Sequence, residues 1–222
     1  MAKILQVSAR AGMAHVIEPI ARRLIGWGVT PNAVTVAGTV GVVFGAIGLG
    51  SQGYFVAGAL VVTFFALVDL VDGTMARLSG GSTRFGALLD STMDRIADGA
   101  VVGTVIYILA SRGDRWGVVA GVVCLVTGAV VSYVKARAEG LGLTANVGLA
   151  ERAERLIIVG VGGLLAGFGL QWGFAAAMWF LAAVSTITIV QRMVYVYRQA
   201  RDADAADRAA AGAGAADGGT AP

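Results

Sequence analysis

In the stretch Phe64–Gly99, FFALVDLVDGTMARLSGGSTRFGALLDSTMDRIADG, two apolar runs meet at a glycine-containing turn and five carboxylates interrupt them. Its first half closes an apolar run over 54–77, and its second half opens another over 85–111. Each is long enough for a bilayer core, which needs about 20 mostly apolar residues. Residues 78–84, with Gly80 and Gly81, leave room only for a tight connection, so the two helices are expected to lie antiparallel and adjacent. Working outward, further apolar runs cover 33–51, 116–137, 154–171 and 173–197. The predicted fold class is therefore all-α, a polytopic membrane protein of six transmembrane helices. Composition agrees: 14% of the chain is charged and 57% hydrophobic, where a soluble domain is about a quarter charged.

One domain over 1–201 is expected. Within it, residues 3–26 read as an amphipathic juxtamembrane helix, with Val16, Ile17, Ile20 and Leu24 on one side and Arg22 and Arg23 on another. Such a helix lies in the membrane interface. Residues 202–222, rich in Ala, Gly and Asp, read as a disordered cytoplasmic tail. Fifteen of the 17 Lys and Arg fall at the termini, at 78–84, in the adjoining half of the third run, or around 138–153. The positive-inside rule then places both termini and these two loops in the cytoplasm. Basic residues that track topology in this way argue against a nucleic-acid partner. The single cysteine, Cys124, excludes a disulfide framework and a thiolate metal cluster. No early apolar run with a cleavage site marks a removable signal peptide. The lone His15 falls in the amphipathic segment and reads as a surface residue.

Chemistry is concentrated where the carboxylates are. Asp69 and Asp72 are three residues apart, and Asp90 and Asp94 four apart, so each pair shares one helical face. Counted outward from the turn, the four sit at comparable depths. Ionisable groups at membrane depth are costly and face a bundle interior or a wet cavity. Four carboxylates held together repel unless cations neutralise them. Hard oxygen ligands suit Mg²⁺ or Mn²⁺, and four suffice for two ions about 4 Å apart that clamp a phosphoryl displacement. Gly73 and Gly86 allow close approach of a helix or ligand, and Arg77 can meet phosphate oxygens with its planar fork. The plainer alternative is a set of structural salt bridges to Arg77, Arg84 and Arg95. Asp98 continues the Asp90–Asp94 face, and a structural pair or a polar helix contact is the reading for it.

The pattern D-x2-D-G-x2-A-R-x8-G-x3-D-x3-D runs without a gap through Asp69, Asp72, Gly73, Ala76, Arg77, Gly86, Asp90 and Asp94. It resembles the signature of the CDP-alcohol phosphotransferase family, and the six apolar runs resemble that family's profile. The resemblance implies that Asp69, Asp72 and Asp90 ligate two Mg²⁺ ions (or Mn²⁺). It also implies that Asp94 contacts the second ion and acts as catalytic base on the acceptor hydroxyl. Gly73, Arg77, Thr83 and Gly86 would then contact CDP-diacylglycerol. Pro31, Asn32, Ala33, Val34 and Thr35 match the family's P-N-x-x-T element and would help hold the nucleotide, while Thr30 or Asn32 caps the helix that starts there. A homodimer in a bacterial cell membrane is implied as well, with the active site on the cytoplasmic face.

The acceptor is read from the basic residues outside that signature. Ser132–Glu139 (SYVKARAE) and Glu151–Arg155 (ERAER) look like the corresponding stretches of bacterial phosphatidylinositol phosphate synthases. By that resemblance Lys135, Arg155 and Arg192, and less directly Arg137 and Arg152, would bind the phosphate of D-myo-inositol 3-phosphate. A phosphate dianion calls for Arg or Lys, although long basic side chains at span ends also snorkel for no further reason. A phosphatidylglycerol phosphate synthase using glycerol 3-phosphate is the nearest alternative. A cation transporter is the alternative of another class, disfavoured because only one helical hairpin carries the acids.

Overall fold

The computed structural model describes residues 17–217 and is helical throughout, with no strand among the described residues. A helix over 17–26, α1, comes first. Its inward face is Ile17, Ala21, Leu24 and Ile25, which packs on Val34, Val71 and Met75. Ile20, expected on that face, is 48% exposed, because residues spaced by four and seven from Ile17 fall on one stripe and Ile20 lies beside it. Residues 3–16 of the predicted 3–26 segment, Val16 and His15 among them, lie outside the described residues.

Thr30 caps the next helix, α2 (Pro31–Val43), its Oγ1 accepting from the Ala33 amide at 3.2 Å with Pro31 at the first helical position. Of the two capping residues expected, Thr30 is the one used. The helix widens into a π turn over Phe44–Leu49 and closes with a tight turn at Gly50–Gln52. A methyl on Gly58 of the following helix would sit 2.9 Å from the Gly45 carbonyl oxygen and 3.2 Å from the Gly50 amide. Only glycine lets the two backbones meet there.

Four long helices and one short one complete the bundle: α3 (Phe55–Leu78), α4 (Arg84–Ser111), α5 (Arg115–Glu139), α6 (Arg152–Gly167) and α7 (Gly173–Asp217). The α3–α4 turn uses Gly80 and Gly81 at φ 96° and 109°, left-handed values that favour glycine. Helix α2 lies against both α3 and α4, α5 against α4 and α7, and α6 against α3 and α7. The expected close pairing of α3 with α4 does not occur: no Cα of one comes within 8 Å of a Cα of the other. Carboxylates of the two helices approach one another near the turn, and α2 packs against both helices.

The main core lies at the far end from the α3–α4 turn, built on Val42, Val105, Leu109, Ala120, Met178 and Leu181. There the Arg112 guanidinium stacks 5.1 Å over the Phe55 ring and donates to the Gln171 carbonyl.

Among the described residues, four helices are long and apolar enough to cross a membrane: Pro31–Gln52, Phe55–Leu78, Arg115–Glu139 and Gly173–Ala205. Helix α4 matches the predicted 85–111 run but carries too many charges for that criterion. Helix α6, expected over 154–171, stops at Gly167 because residues 168–172 turn through Gly169 at φ 93°. The tail expected to be disordered continues α7 as far as Asp217. Its alanines have the highest helix propensity of any residue, and an existing helix needs no new nucleus to extend. Residues 218–222 lie outside the described residues.

Candidate active site and metal centre

Two successive turns of α3 present Asp69 and Asp72, and the facing turns of α4 present Asp90 and Asp94. Oxygens of Asp69, Asp72 and Asp90 all lie within 4.8 Å of one another. Asp72 is buried and Asp90 exposed, so the cluster opens from the bundle interior toward solvent. The buried member is held by the P-N-x-x-T element, since the Thr35 hydroxyl donates to Asp72 Oδ2 at 2.5 Å. That bond gives Thr35 a position in the acidic cluster which its place in the sequence motif did not suggest.

Asp94 is joined to the cluster by a cation. Arg152 Nη1, at the start of α6, lies 2.6 Å from Asp69 Oδ2 and 2.7 Å from Asp94 Oδ1. Both contacts are largely shielded, with side-chain exposures of 22% for Arg152, 25% for Asp69 and 17% for Asp94. A positive group already bridges two of the four carboxylates, so the donor set accepts charge at that point. Three hard oxygen donors in reach of one another, with a fourth carboxylate beside them, fit divalent cations of the Mg²⁺ or Mn²⁺ kind. Of the salt-bridge alternative, Arg95 lies 3.8 Å from Asp94, whereas Arg77 donates to Thr74 Oγ1 at 2.8 Å; the closer cation, Arg152, was not among the arginines it named.

Other residues of the signature surround the cluster. Thr83 caps α4, its Oγ1 accepting from the Gly86 amide at 2.9 Å. A methyl on Gly86 would meet Thr83 Oγ1 at 3.1 Å and Asn32 Oδ1 at 3.2 Å, so Asn32 at the start of α2 abuts the start of α4. A methyl on Gly73 would find only Arg77 Nη1, at 3.7 Å. Packing does not demand glycine there, and the space beside it is free for a ligand. A cavity of about 530 Å³ runs from the Asp69–Arg152 pair between α3, α4 and α6, lined by apolar residues such as Ala59, Val62, Leu156 and Ile157.

Of the basic residues expected at the acceptor, most are engaged with protein groups. Arg155 is buried and donates to Asp98 Oδ2 at 2.5 Å. Arg192, also buried, donates to the Val131 carbonyl at 2.6 Å and the Val147 carbonyl at 2.8 Å. With Thr188, whose Oγ1 accepts from the Leu149 and Ala150 amides, it holds the 140–151 loop against α7. Lys135 reaches Glu139 at 3.9 Å, and Arg137 is exposed. Arg95, named in the sequence as a salt-bridge partner, and Asp98, read as a structural pair, do meet each other at 3.0 Å, at i, i+3 spacing on α4; that Arg155 shares the same carboxylate was not read from the sequence.

A sequence model of CDP-alcohol phosphatidyltransferases matches residues 28–191, which contain all of the acidic cluster and, of the basic residues above, all but Arg192. The chain belongs to the CDP-alcohol phosphatidyltransferase family. It is 49% identical over 193 residues to the phosphatidylinositol phosphate synthase of Mycobacterium tuberculosis, covering 85% of this chain and 89% of that one. It is 45% identical over 224 residues to the enzyme of that name from Streptomyces avermitilis, covering 96% and 92%. The solved M. tuberculosis structure with CDP-DAG bound superposes with a TM-score of 0.78 at 48% identity, over 83% of this chain and 94% of that one. The same protein in complex with manganese and citrate gives 0.77, over 82% and 88%. As a member of this family the chain is a membrane-bound transferase of phospholipid biosynthesis and uses divalent metal.

Proposed function

We propose that this phosphatidyltransferase moves the phosphatidyl group of CDP-diacylglycerol onto a hydroxyl of D-myo-inositol 3-phosphate, giving phosphatidylinositol phosphate and CMP. The observation that carries the chemistry is the convergence of Asp69, Asp72 and Asp90 within 4.8 Å, with Asp69 also lining an apolar cavity. Relatives with this name, matched over most of their length, support the acceptor.

In this reading Asp69, Asp72, Asp90 and Asp94 hold two divalent ions, which when bound supply positive charge to the pyrophosphate and to the departing CMP. Thr35 keeps Asp72 aimed into the cluster. Asp94 takes the proton of the acceptor hydroxyl, and the oxygen attacks the β-phosphorus in line as its bond to the CMP oxygen breaks. The Pro31–Thr35 element, Gly73, Arg77, Thr83 and Gly86 border the nucleotide. The cavity takes lipid chain, which favours a lipid donor over the transporter alternative. Arg155, Lys135 and Arg192, with Arg137, meet the acceptor phosphate. Arg152 turns to the same phosphate once its two carboxylates are neutralised by other charge.

Helices α4 and α6 complete six crossings, α4 with its carboxylates facing the site and α6 as a short span. Both ends of the chain and the site lie on the cytoplasmic face of a bacterial membrane, following the distribution of Lys and Arg. A homodimer is the assembly that the family resemblance favours. The test is CMP release from purified protein with CDP-diacylglycerol and Mg²⁺, offering inositol phosphate, glycerol 3-phosphate, free inositol or serine in parallel. Release with inositol phosphate alone is expected. Release with glycerol 3-phosphate instead would keep the chemistry and overturn the acceptor.

A further inference from the structure

Asp98 stands one turn beyond Asp94 on α4 and outside the family signature, yet its carboxylate is only 17% exposed. One oxygen, Oδ2, serves two cations: Arg155 Nη2 at 2.5 Å and Arg95 Nη1 at 3.0 Å. Arg95 also donates to Ser132 Oγ on α5, and its Nη2 lies 3.8 Å from Asp94 Oδ2. A cavity of about 120 Å³ adjoins this group, with Arg95, Asp98, Arg155 and Gly128 in its wall. A single carboxylate therefore ties α4 to α6 directly and to α5 through Arg95, immediately behind Asp94.

We propose that Asp98 is a positioning residue for the acceptor: it holds Arg155 in place to receive the acceptor phosphate and, through Arg95, steadies Asp94. The proposal rests on the functional reading above for the role of Arg155. Arg155 and Arg95 are like charges in a shielded site, and without a shared counter-ion they repel. Asp98 engages one terminal nitrogen of Arg155, and a guanidinium has five N–H donors in a fixed fork, so the remaining donors stay available in a defined orientation. A purely structural tie between helices would lower stability and leave acceptor recognition untouched.

The experiment measures initial rates of CMP release by the full-length wild type, Asp98→Asn, Asp98→Glu, Arg155→Gln and the Asp98→Asn/Arg155→Gln double variant. Inositol phosphate and CDP-diacylglycerol are varied in turn. Asp98→Asn is expected to raise KM for inositol phosphate about 10- to 100-fold, the range for a lost hydrogen bond to a charged group. Its kcat and its KM for CDP-diacylglycerol change less, and Asp98→Glu recovers part of the loss. The double variant is expected to be no worse than Arg155→Gln, because both changes remove one interaction.

An unchanged KM, or losses that add in the double variant, overturns the proposal. Should Asp98→Asn fail to fold, Ser132→Ala carries the test. It removes one outer hydroxyl and is expected to raise the same KM by about two- to tenfold; no rise overturns the proposal. A wild type that works only with glycerol 3-phosphate overturns the acceptor reading alone, and the same series on that acceptor then decides Asp98.

Discussion

Replacing Arg152 with Gln should tighten the binding of divalent cations. Arg152 Nη1 occupies the space between Asp69 and Asp94, 2.6 and 2.7 Å from their oxygens. A cation entering beside those carboxylates competes with both contacts. A hydrogen bond to a charged group contributes about 1.5–3 kcal/mol net. Two unit charges 4 Å apart interact by about 4 kcal/mol at an effective dielectric of 20. The partners are 17–25% exposed, so solvent screening takes part of this. A residue of about 1.4 kcal/mol is a conservative floor and corresponds to tenfold in affinity.

The assay is titration of substrate-free protein with Mn²⁺, following free ion by electron paramagnetic resonance. Binding at least about tenfold tighter in Arg152→Gln than in wild type is expected. In turnover the same variant should show a raised KM for the acceptor phosphate. The two effects run in opposite directions, whereas general damage to the fold would weaken both. Mn²⁺ binding that is equal or weaker in the variant would refute the competition between Arg152 and metal.

Three further outcomes follow from the same geometry. Thr35→Val removes the hydroxyl that Asp72 accepts from, and should shift the Mg²⁺ dependence of CMP release upward by about tenfold or more, with activity recovered at high Mg²⁺; an unshifted dependence would separate Thr35 from the ion site. Asp94→Asn should abolish turnover while largely sparing CDP-diacylglycerol binding, measured as substrate-induced thermal stabilisation in detergent, and full activity would remove its role as base. Gly73→Ala should leave the melting temperature of the substrate-free protein within about 2 °C of wild type, since its methyl meets only Arg77 Nη1 at 3.7 Å, consistent with about 2–4 °C per kcal/mol for chains of this size; the same variant should weaken CDP-diacylglycerol binding, and unchanged binding would mean no ligand uses that space.

Apolar run length alone determined the helical class and the approximate bounds of α2 to α5, because the hydrophobic requirement for a buried or spanning helix is written residue by residue. Spacing likewise determined that Asp69 pairs with Asp72 and Asp90 with Asp94, since helical periodicity is local. Residues 202–217 have a composition that suits both a solvated coil and the extension of a helix already nucleated by α7. Contacts between distant segments were decided by tertiary structure. That α2 packs against both α3 and α4, that Thr35 reaches Asp72 across 37 positions, and that Arg152 bridges Asp69 and Asp94 across 83 and 58, depend on helix packing. Nothing in the local pattern of a basic residue distinguishes an arginine that meets solvent from one, like Arg155 on Asp98, that is held by a carboxylate on another helix. A buried charge requires a partner, but its identity is set only when the bundle closes.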